Sequence, residues 1–365
     1  MIPVTKPFLP PKKLLFSHLS EVYERNWLTN HGPLVTEFEQ KIMALLNHNN
    51  MKYVTNGTLA LQIALQALGK KGEVVTTPYS YIATTSSIIW EGNTPIFVDV
   101  NNATGNISPA LIDEKISQNT IAILATHVYG NPCDIDEIEN ISKRHNIPVI
   151  YDAAHCFGTL YKGKSIFHFG DIVISSFHAT KIMHTVEGGA VFSNRKKYHR
   201  PIEGLMNFGH TSENTFDMAG INGKNSEFHA AMGLSVLPFF TDILAKRREQ
   251  WEMYKNKLIS ESKLSTIIIN PLSTYNYAYF PLIFQTEELL IDVKNTLFSN
   301  KITARRYFSP SLNELPFLPK ASCPNSESIS KRVLCLPLYN DLTTQDQNLI
   351  IDIILNTLTK HTNTN

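Results

Sequence analysis

The chain lacks a surplus of either charge: 33 Lys+Arg stand against 32 Asp+Glu in 365 residues, a net charge of +1. General nucleic-acid affinity needs a concentrated basic face, so that class is set aside. Cysteine is scarce. Cys133, Cys156, Cys323 and Cys335 form no C-x-x-C pair and no zinc-site spacing, which points to reduced, buried thiols. The histidines show no ligand spacing either, so no metal is expected. No apolar run approaches the roughly 20 residues needed to cross a bilayer. The start, Met1-Ile2-Pro3-Val4-Thr5-Lys6-Pro7, has no basic stretch leading into an apolar one. A cytoplasmic protein with no membrane and no nucleic-acid partner is expected. Internal repeats and low-complexity segments are also missing. What remains is ordinary for a globular protein, 43% hydrophobic and 18% charged, and the low charge fits a buried subunit interface.

Prolines at 3, 7, 10 and 11 rule out a helix at the start and suggest an extended arm over residues 1–12. Helical spacing follows over 13–26 and over Val35 to Leu46. The period then alternates. Short strands end at Val54 and run over Glu73 to Thr77, Pro95 to Val100, Ile121 to Thr126, Val149 to Asp152, Ile172 to Ser176 and Ala190 to Ser193. Between them lie helices from a Thr58 cap to Gln66, over Ser80 to Trp90 and over Asp134 to His145. Strands alternating with helices imply an α/β sheet covered on both faces. Glu227 to Lys257 reads as one or two long helices. Beyond about residue 260, Tyr277 to Phe284 reads as a strand at a sheet edge because of Pro281, followed by helices over Leu289 to Phe298 and Gln345 to Leu358. The polar end, His361 to Asn365, is expected to fray. The expected division is a large α/β domain over 1–245 and a smaller α+β domain over 246–365.

Three features carry chemistry. Asn56-Gly57-Thr58 joins a strand to a helix, where free N–H groups and a close backbone suit a phosphate. Asp152 ends a central strand, where ligand sites of open α/β sheets lie, and a buried acid there needs a cationic or donor partner. Lys181 follows another strand in Ser176-Phe177-His178-Ala179-Thr180-Lys181, with Glu187-Gly188-Gly189-Ala190 allowing a sharp return. A lysine in a dry pocket loses basicity and becomes a nucleophile. An aldehyde-bearing pyridine needs this set: the lysine for the aldehyde, the acid for the ring nitrogen.

These motifs, with Pro78-Tyr79-Ser80-Tyr81 and Asp152-Ala153-Ala154-His155, resemble the DegT/DnrJ/EryC1/StrS family of pyridoxal-phosphate aminotransferases acting on nucleotide-linked keto sugars. The resemblance implies a type I aminotransferase fold: a large domain with a mostly parallel seven-stranded sheet flanked by helices, plus the smaller C-terminal α+β domain. It also implies a homodimer with shared active sites. Lys181 matches the lysine that holds pyridoxal 5'-phosphate (PLP) as a Schiff base, with pyridoxamine phosphate (PMP) as the intermediate form. Asp152 matches the acid on the pyridine nitrogen, His155 the residue near the phenolic oxygen, and Tyr81 the aromatic on the ring face. Gly57, Thr58 and Ser176 match phosphate contacts. Asn222 matches an asparagine that reaches the neighbouring subunit's cofactor. His184, Lys224 and Tyr307 are candidates for the substrate.

The chain departs from the family pattern in two places. Lys224 stands where arginine is frequent, and Leu312 stands at the histidine of a Tyr-x-Pro-x-His segment, here Phe308-Ser309-Pro310-Ser311-Leu312. Within the family, Asn26-Trp27-Leu28-Thr29-Asn30, Arg305-Arg306-Tyr307 and Leu334-Cys335-Leu336-Pro337 resemble viosamine-type members. These take the amino group of L-glutamate to carbon 4 of dTDP-4-keto-6-deoxy-D-glucose, giving dTDP-4-amino-4,6-dideoxy-D-glucose and 2-oxoglutarate, for surface polysaccharides such as the O-antigen of lipopolysaccharide. The alternatives are amination at carbon 3 of a 3-keto isomer and a non-catalytic binding or regulatory protein on the same fold. The presence of Lys181 weighs against the sugar 3-dehydratases, which carry histidine there.

Overall fold

The computed structural model describes residues 1–363. Seven strands build the main sheet: β1 (Met51–Val54), β2 (Glu73–Thr76), β3 (Thr94–Phe97), β4 (Thr120–Thr126), β5 (Val149–Asp152), β6 (Ile172–Ser176) and β7 (Gly189–Ser193). Their order across the sheet is β1-β7-β6-β5-β4-β2-β3. The pairs from β6 to β3 are all parallel, whereas β7 runs antiparallel to both β6 and β1. Every residue of β4, β5, β6 and β7 is buried, as strands covered on both faces require.

The covering helices are α1 (Lys12–Arg25), α2 (Pro33–Leu46), α3 (Gly57–Gln66), α4 (Ile82–Trp90), α5 (Ile135–His145), α6 (Lys196–Leu205) and α7 (Glu227–Val236). Each buries one stripe. In α5 the stripe is Ile135, Ile138 and Ile141, with Asp136 and Glu137 in the first turn and Lys143, Arg144 and His145 in the last, a charge order that suits the helix dipole. One large core contains Phe38, Tyr53, Val173, Phe177 and Phe192 on one face of the sheet; a second, with Ala60, Leu124, Ile150 and Val191, fills the other.

Helix α8 (Phe240–Leu258) leaves this body. Its Phe240 and Ile243 belong to the large core, while Trp251, Tyr254 and Leu258 belong to another core with Phe280, Leu290, Val293 and Ile350. That core is built on a three-stranded sheet, β8 (Leu264–Ser265), β9 (Pro281–Phe284) and β10 (Val333–Cys335), with α9 (Glu287–Ser299) and α11 (Thr344–Asn363), while Ile329 of α10 (Pro324–Arg332) packs in a separate cluster with Phe308 and Val333. The span Glu227–Leu258 is long and apolar enough to cross a membrane by composition, but α7 and α8 are separate helices joined by a tight turn over Leu237–Phe239, and they face these cores.

Four local expectations change. Asn56 rather than Thr58 caps α3, its Oδ1 accepting the Leu59 N–H at 2.8 Å; Asn56 stands just before the first helical residue with an extended backbone, whereas Thr58 is already inside the helix. Helix α4 starts at Ile82, so Ser80 and Tyr81 lie in the preceding turn. The strand bearing Pro281 is the centre of its sheet, not an edge. Proline is tolerated because it is the strand's first residue, and its carbonyl accepts the Thr266 hydroxyl at 2.7 Å. At the C-terminus α11 reaches Asn363, two residues past His361, where fraying was expected to begin; Thr364 and Asn365 lie outside the described residues.

The N-terminal arm ties the two bodies together. Ile2 pairs with Ile302, the Val4 carbonyl accepts the Leu338 N–H at 3.2 Å, and Phe8 packs on Phe239 with ring centroids 5.4 Å apart.

Candidate active site

A cavity of about 290 Å³ opens at the C-terminal ends of β4, β5 and β6. Register puts Thr126 of β4 beside Asp152 of β5, and Asp152 beside Ile174 of β6, so one row of strand ends forms the floor. Asp152 is 5% exposed. Its Oδ2 accepts the Thr84 hydroxyl at 2.7 Å and its Oδ1 accepts the Ala154 N–H at 3.1 Å. Burial pushes its carboxyl up, opposed by these two hydrogen bonds and by the charge of Lys181.

The start of α3 forms one corner. A Cβ on Gly57 would lie 3.0 Å from Ser176 Cβ, so a larger residue would force the end of β6 to give by a few tenths of an ångström. The first-turn N–H groups, Thr58 and the Ser176 hydroxyl thus face one small volume. The chain bends just before Gly188-Gly189, with the positive φ of this return at Val186 and not at either glycine. Close approach demands them instead: a Cβ would lie 2.1 Å from Thr185 Oγ1 at Gly188 and 2.4 Å from the Asn56 carbonyl at Gly189.

Lys181 stands on the loop after β6, closed by its own N–H donating to the His178 carbonyl at 2.8 Å. Its Nζ lies 3.5 Å from the Tyr279 hydroxyl. Burial lowers the amine to about 8 against the attraction of Asp152, Cys156 and Tyr81, so a usable fraction is neutral near pH 7. His155 is buried, its ring parallel to Phe308 at 5.9 Å, and its Nδ1 has no hydrogen-bond partner among the described residues. Burial, and then Lys181, hold it neutral.

Lys181, Asp152, Gly57, Thr58, Tyr81, His155, Ser176 and Tyr307 therefore line the same cavity. Three expected residues do not. His184 is buried under the N-terminal arm, its Nε2 donating to the Phe8 carbonyl at 2.7 Å. Lys224 donates to Asn207 Oδ1 at 2.9 Å and lies 4.7 Å above the Phe208 ring. Asn222 is exposed, with its backbone paired to Asn207. Other lining residues went unnoticed in the sequence as site groups. Tyr279 and Arg305 come from the C-terminal part, and Ser80, Thr84 and Thr126 are small hydroxyl residues. A hydroxyl residue among apolar neighbours carries no signal by itself, though Arg305 beside Tyr307 did.

The residues present suit PLP. An acid and an amine make no ion pair with each other at the floor, a buried histidine nitrogen lacks a partner, and a helix start meets a serine hydroxyl. Those are the complements of a ring nitrogen, an aldehyde, a phenolic oxygen and a phosphate.

A family model, the DegT/DnrJ/EryC1/StrS aminotransferase family, matches residues 12–355. The chain belongs to this family. Its members are PLP-dependent aminotransferases. The chain is 38% identical over 357 residues to a dTDP-4-amino-4,6-dideoxy-D-glucose transaminase of Shigella dysenteriae, covering 96% of this chain and 97% of the relative. A transaminase of the same name from Escherichia coli is 38% identical over 359 residues, covering 93% and 94%. A GDP-perosamine synthase of Escherichia coli O157:H7 is 32% identical over 365 residues, covering 97% of each. Among solved structures, DesI in the presence of its TDP-sugar product superposes with a TM-score of 0.92 at 29% identity, covering 98% of this chain and 93% of that one. The seven-stranded, mostly parallel sheet and the aminotransferase activity expected from the motifs are those of the family.

Proposed function

We propose that this aminotransferase moves the amino group of L-glutamate to the C4 keto group of dTDP-4-keto-6-deoxy-D-glucose, giving dTDP-4-amino-4,6-dideoxy-D-glucose and 2-oxoglutarate. The observation that carries the chemistry is the Lys181 amine, which makes no ion pair among the described residues, lining one cavity with the buried Asp152 carboxylate. The two transaminases at 38% identity support the sugar and the ring position.

Lys181 would hold PLP through its ε-amine, Asp152 would meet the ring nitrogen, His155 the phenolic oxygen, Tyr81 a ring face, and Gly57, Thr58 and Ser176 the phosphate. Bound there, the coenzyme supplies an electron sink for cleavage of a carbon–hydrogen bond beside the nitrogen. Asp152 keeps the ring nitrogen protonated, because its negative charge in a dry site favours the cation. Once the donor's own amino group has displaced it, the Lys181 amine, neutral in part because burial lowers it to about 8, would be free to take the proton from the donor's α carbon. Donor and acceptor use the site in turn, so ping-pong kinetics are expected.

The exposed Phe16, Tyr23, Trp27, Phe216, Ile221 and Phe228 support a homodimer. In that dimer Asn222 and Lys224 would serve the partner's cavity, as their exclusion from this chain's own cavity allows. The test is incubation with L-glutamate and a panel of dTDP-, UDP- and GDP-linked keto sugars, with the product resolved by NMR. A 4-amino product from the dTDP sugar is expected. A 3-amino product, or conversion of another nucleotide sugar alone, would replace this substrate, and no 2-oxoglutarate with any sugar would favour a binding role.

A further inference from the structure

The Asp152 carboxylate is the end of a row of hydroxyl groups. Thr84 Oγ1 donates to Asp152 Oδ2 at 2.7 Å, Ser80 Oγ lies 2.7 Å from Thr84 Oγ1, and the Thr126 hydroxyl reaches Ser80 Oγ at 3.2 Å. The three residues are 1%, 2% and 2% exposed in that order. They come from three places: Thr126 ends β4, Ser80 lies in the turn after β2, and Thr84 is in the first turn of α4. An ionised carboxylate accepts hydrogen bonds and gives none. That fixes the direction of the whole row. Thr84 gives its proton to Asp152, so it receives one from Ser80, and Ser80 receives one from Thr126. Three O–H dipoles then point at one carboxylate, and each strengthens the next in a dry interior.

We propose that Thr84, backed by Ser80 and Thr126, is a positioning residue that keeps Asp152 ionised and oriented to receive the ring nitrogen of PLP. The proposal rests on the role given to Asp152 above. Burial works against ionisation, and Asp152 makes no ion pair among the described residues. The titratable groups that face it are Lys181, whose charge helps, His155, which burial holds neutral, and the Cys156 thiol, which burial also holds neutral. Neither neutral group offers Asp152 a compensating charge. The hydroxyl row, the Ala154 N–H and the charge of Lys181 are what offset burial on the protein's side before the coenzyme binds, and of the three the hydroxyl row, through Thr84, has the largest effect.

The experiment uses cofactor-free whole protein: wild type, Thr84→Val, Thr84→Ser and Ser80→Ala. Two quantities are read: the midpoint of the Asp152 carboxyl titration by infrared difference against Asp152→Asn, and the Kd for PLP. Thr84→Val should raise the midpoint by about one unit and weaken PLP binding about tenfold, the size of one charge-assisted hydrogen bond. Thr84→Ser should restore both, and Ser80→Ala should shift both by less in the same direction. A purely structural threonine would leave the carboxyl midpoint where it is; that result in folded Thr84→Val overturns the proposal. Should Thr84→Val not fold, Ser80→Ala decides, because it leaves the Thr84 bond in place: an unchanged midpoint overturns the row. If the wild type fails to bind PLP, the proposed function falls, while the carboxyl titration, which needs no coenzyme, still decides the role of Thr84.

Discussion

On one side of the cavity the side chains arrive on neighbouring strand ends. Thr126, Asp152 and Ser176 end β4, β5 and β6, and the register of a parallel sheet fixes their spacing. On the other side Tyr279, Arg305 and Tyr307 arrive on loops of the C-terminal part, held by backbone pairing such as Arg305 with Cys335. The Tyr279 carbonyl is held by the Trp251 indole N–H at 3.1 Å. The strand-end side carries a buried acid and hydroxyl groups. The loop side carries aromatic rings and a cation, and can change without disturbing the sheet. The difference suggests a division of labour: common chemistry on the sheet, substrate choice on the loops.

Substitutions on the two sides should therefore fail in different ways. Lys181→Ala should lower kcat by at least about a thousandfold, measured as 2-oxoglutarate formed from glutamate. Asp152→Asn should lower kcat by about a hundredfold, because an amide cannot hold a protonated ring nitrogen. A wild-type rate in either variant would remove that residue from its role. Arg305→Ala is expected to act differently. The guanidinium lies 4.7 Å from the Tyr307 ring and makes no ion pair among the described residues, leaving it available to an anionic substrate. Its loss should raise KM for the sugar nucleotide or for glutamate about tenfold with kcat little changed. A matching fall in kcat alone would show that the loop side takes part in the chemistry.

The smallest effect on activity belongs to a buried carboxylate away from the cavity. Glu39 accepts the Tyr53 N–H at 2.7 Å, and burial raises its carboxyl from 4.5 to about 7 against the pull of that bond and of Lys52. A raised carboxyl binds its proton more tightly in the folded chain. Its stabilising contribution is full below about pH 4.5 and is lost as pH rises through about 7. Glu39→Gln should thus gain up to about 3 kcal/mol over wild type at pH 8 and little at pH 5, read from denaturant midpoints, with turnover unchanged. Equal pH dependence in both proteins would contradict this.

The strand-end side was legible in the sequence because short buried strands read as apolar runs and their polar last residues stand out. Asp152 after Val149-Ile150-Tyr151 is of that kind, as is Ser176, and Lys181 follows five residues past it on the loop. The loop side was less so. Tyr279 sits among Tyr275 and Tyr277, and no periodicity tells which ring turns to the cavity; the same segment misled on Pro281, whose strand position depends on partners at Leu264–Ser265 and Val333–Cys335. His184 follows Lys181 closely enough to suggest the site, yet its partner is Phe8, far away in the chain, which no local pattern reveals. The row from Thr126 to Thr84 was hidden for the same reason.

The central claim is a covalent hold on PLP by one lysine facing one buried acid. Reducing the PLP-loaded protein with borohydride and mapping the labelled peptide tests it most directly. The label is expected on Lys181, in the peptide that contains Ser176 to Lys181. A label on another lysine, or none on protein that retains PLP, would contradict it.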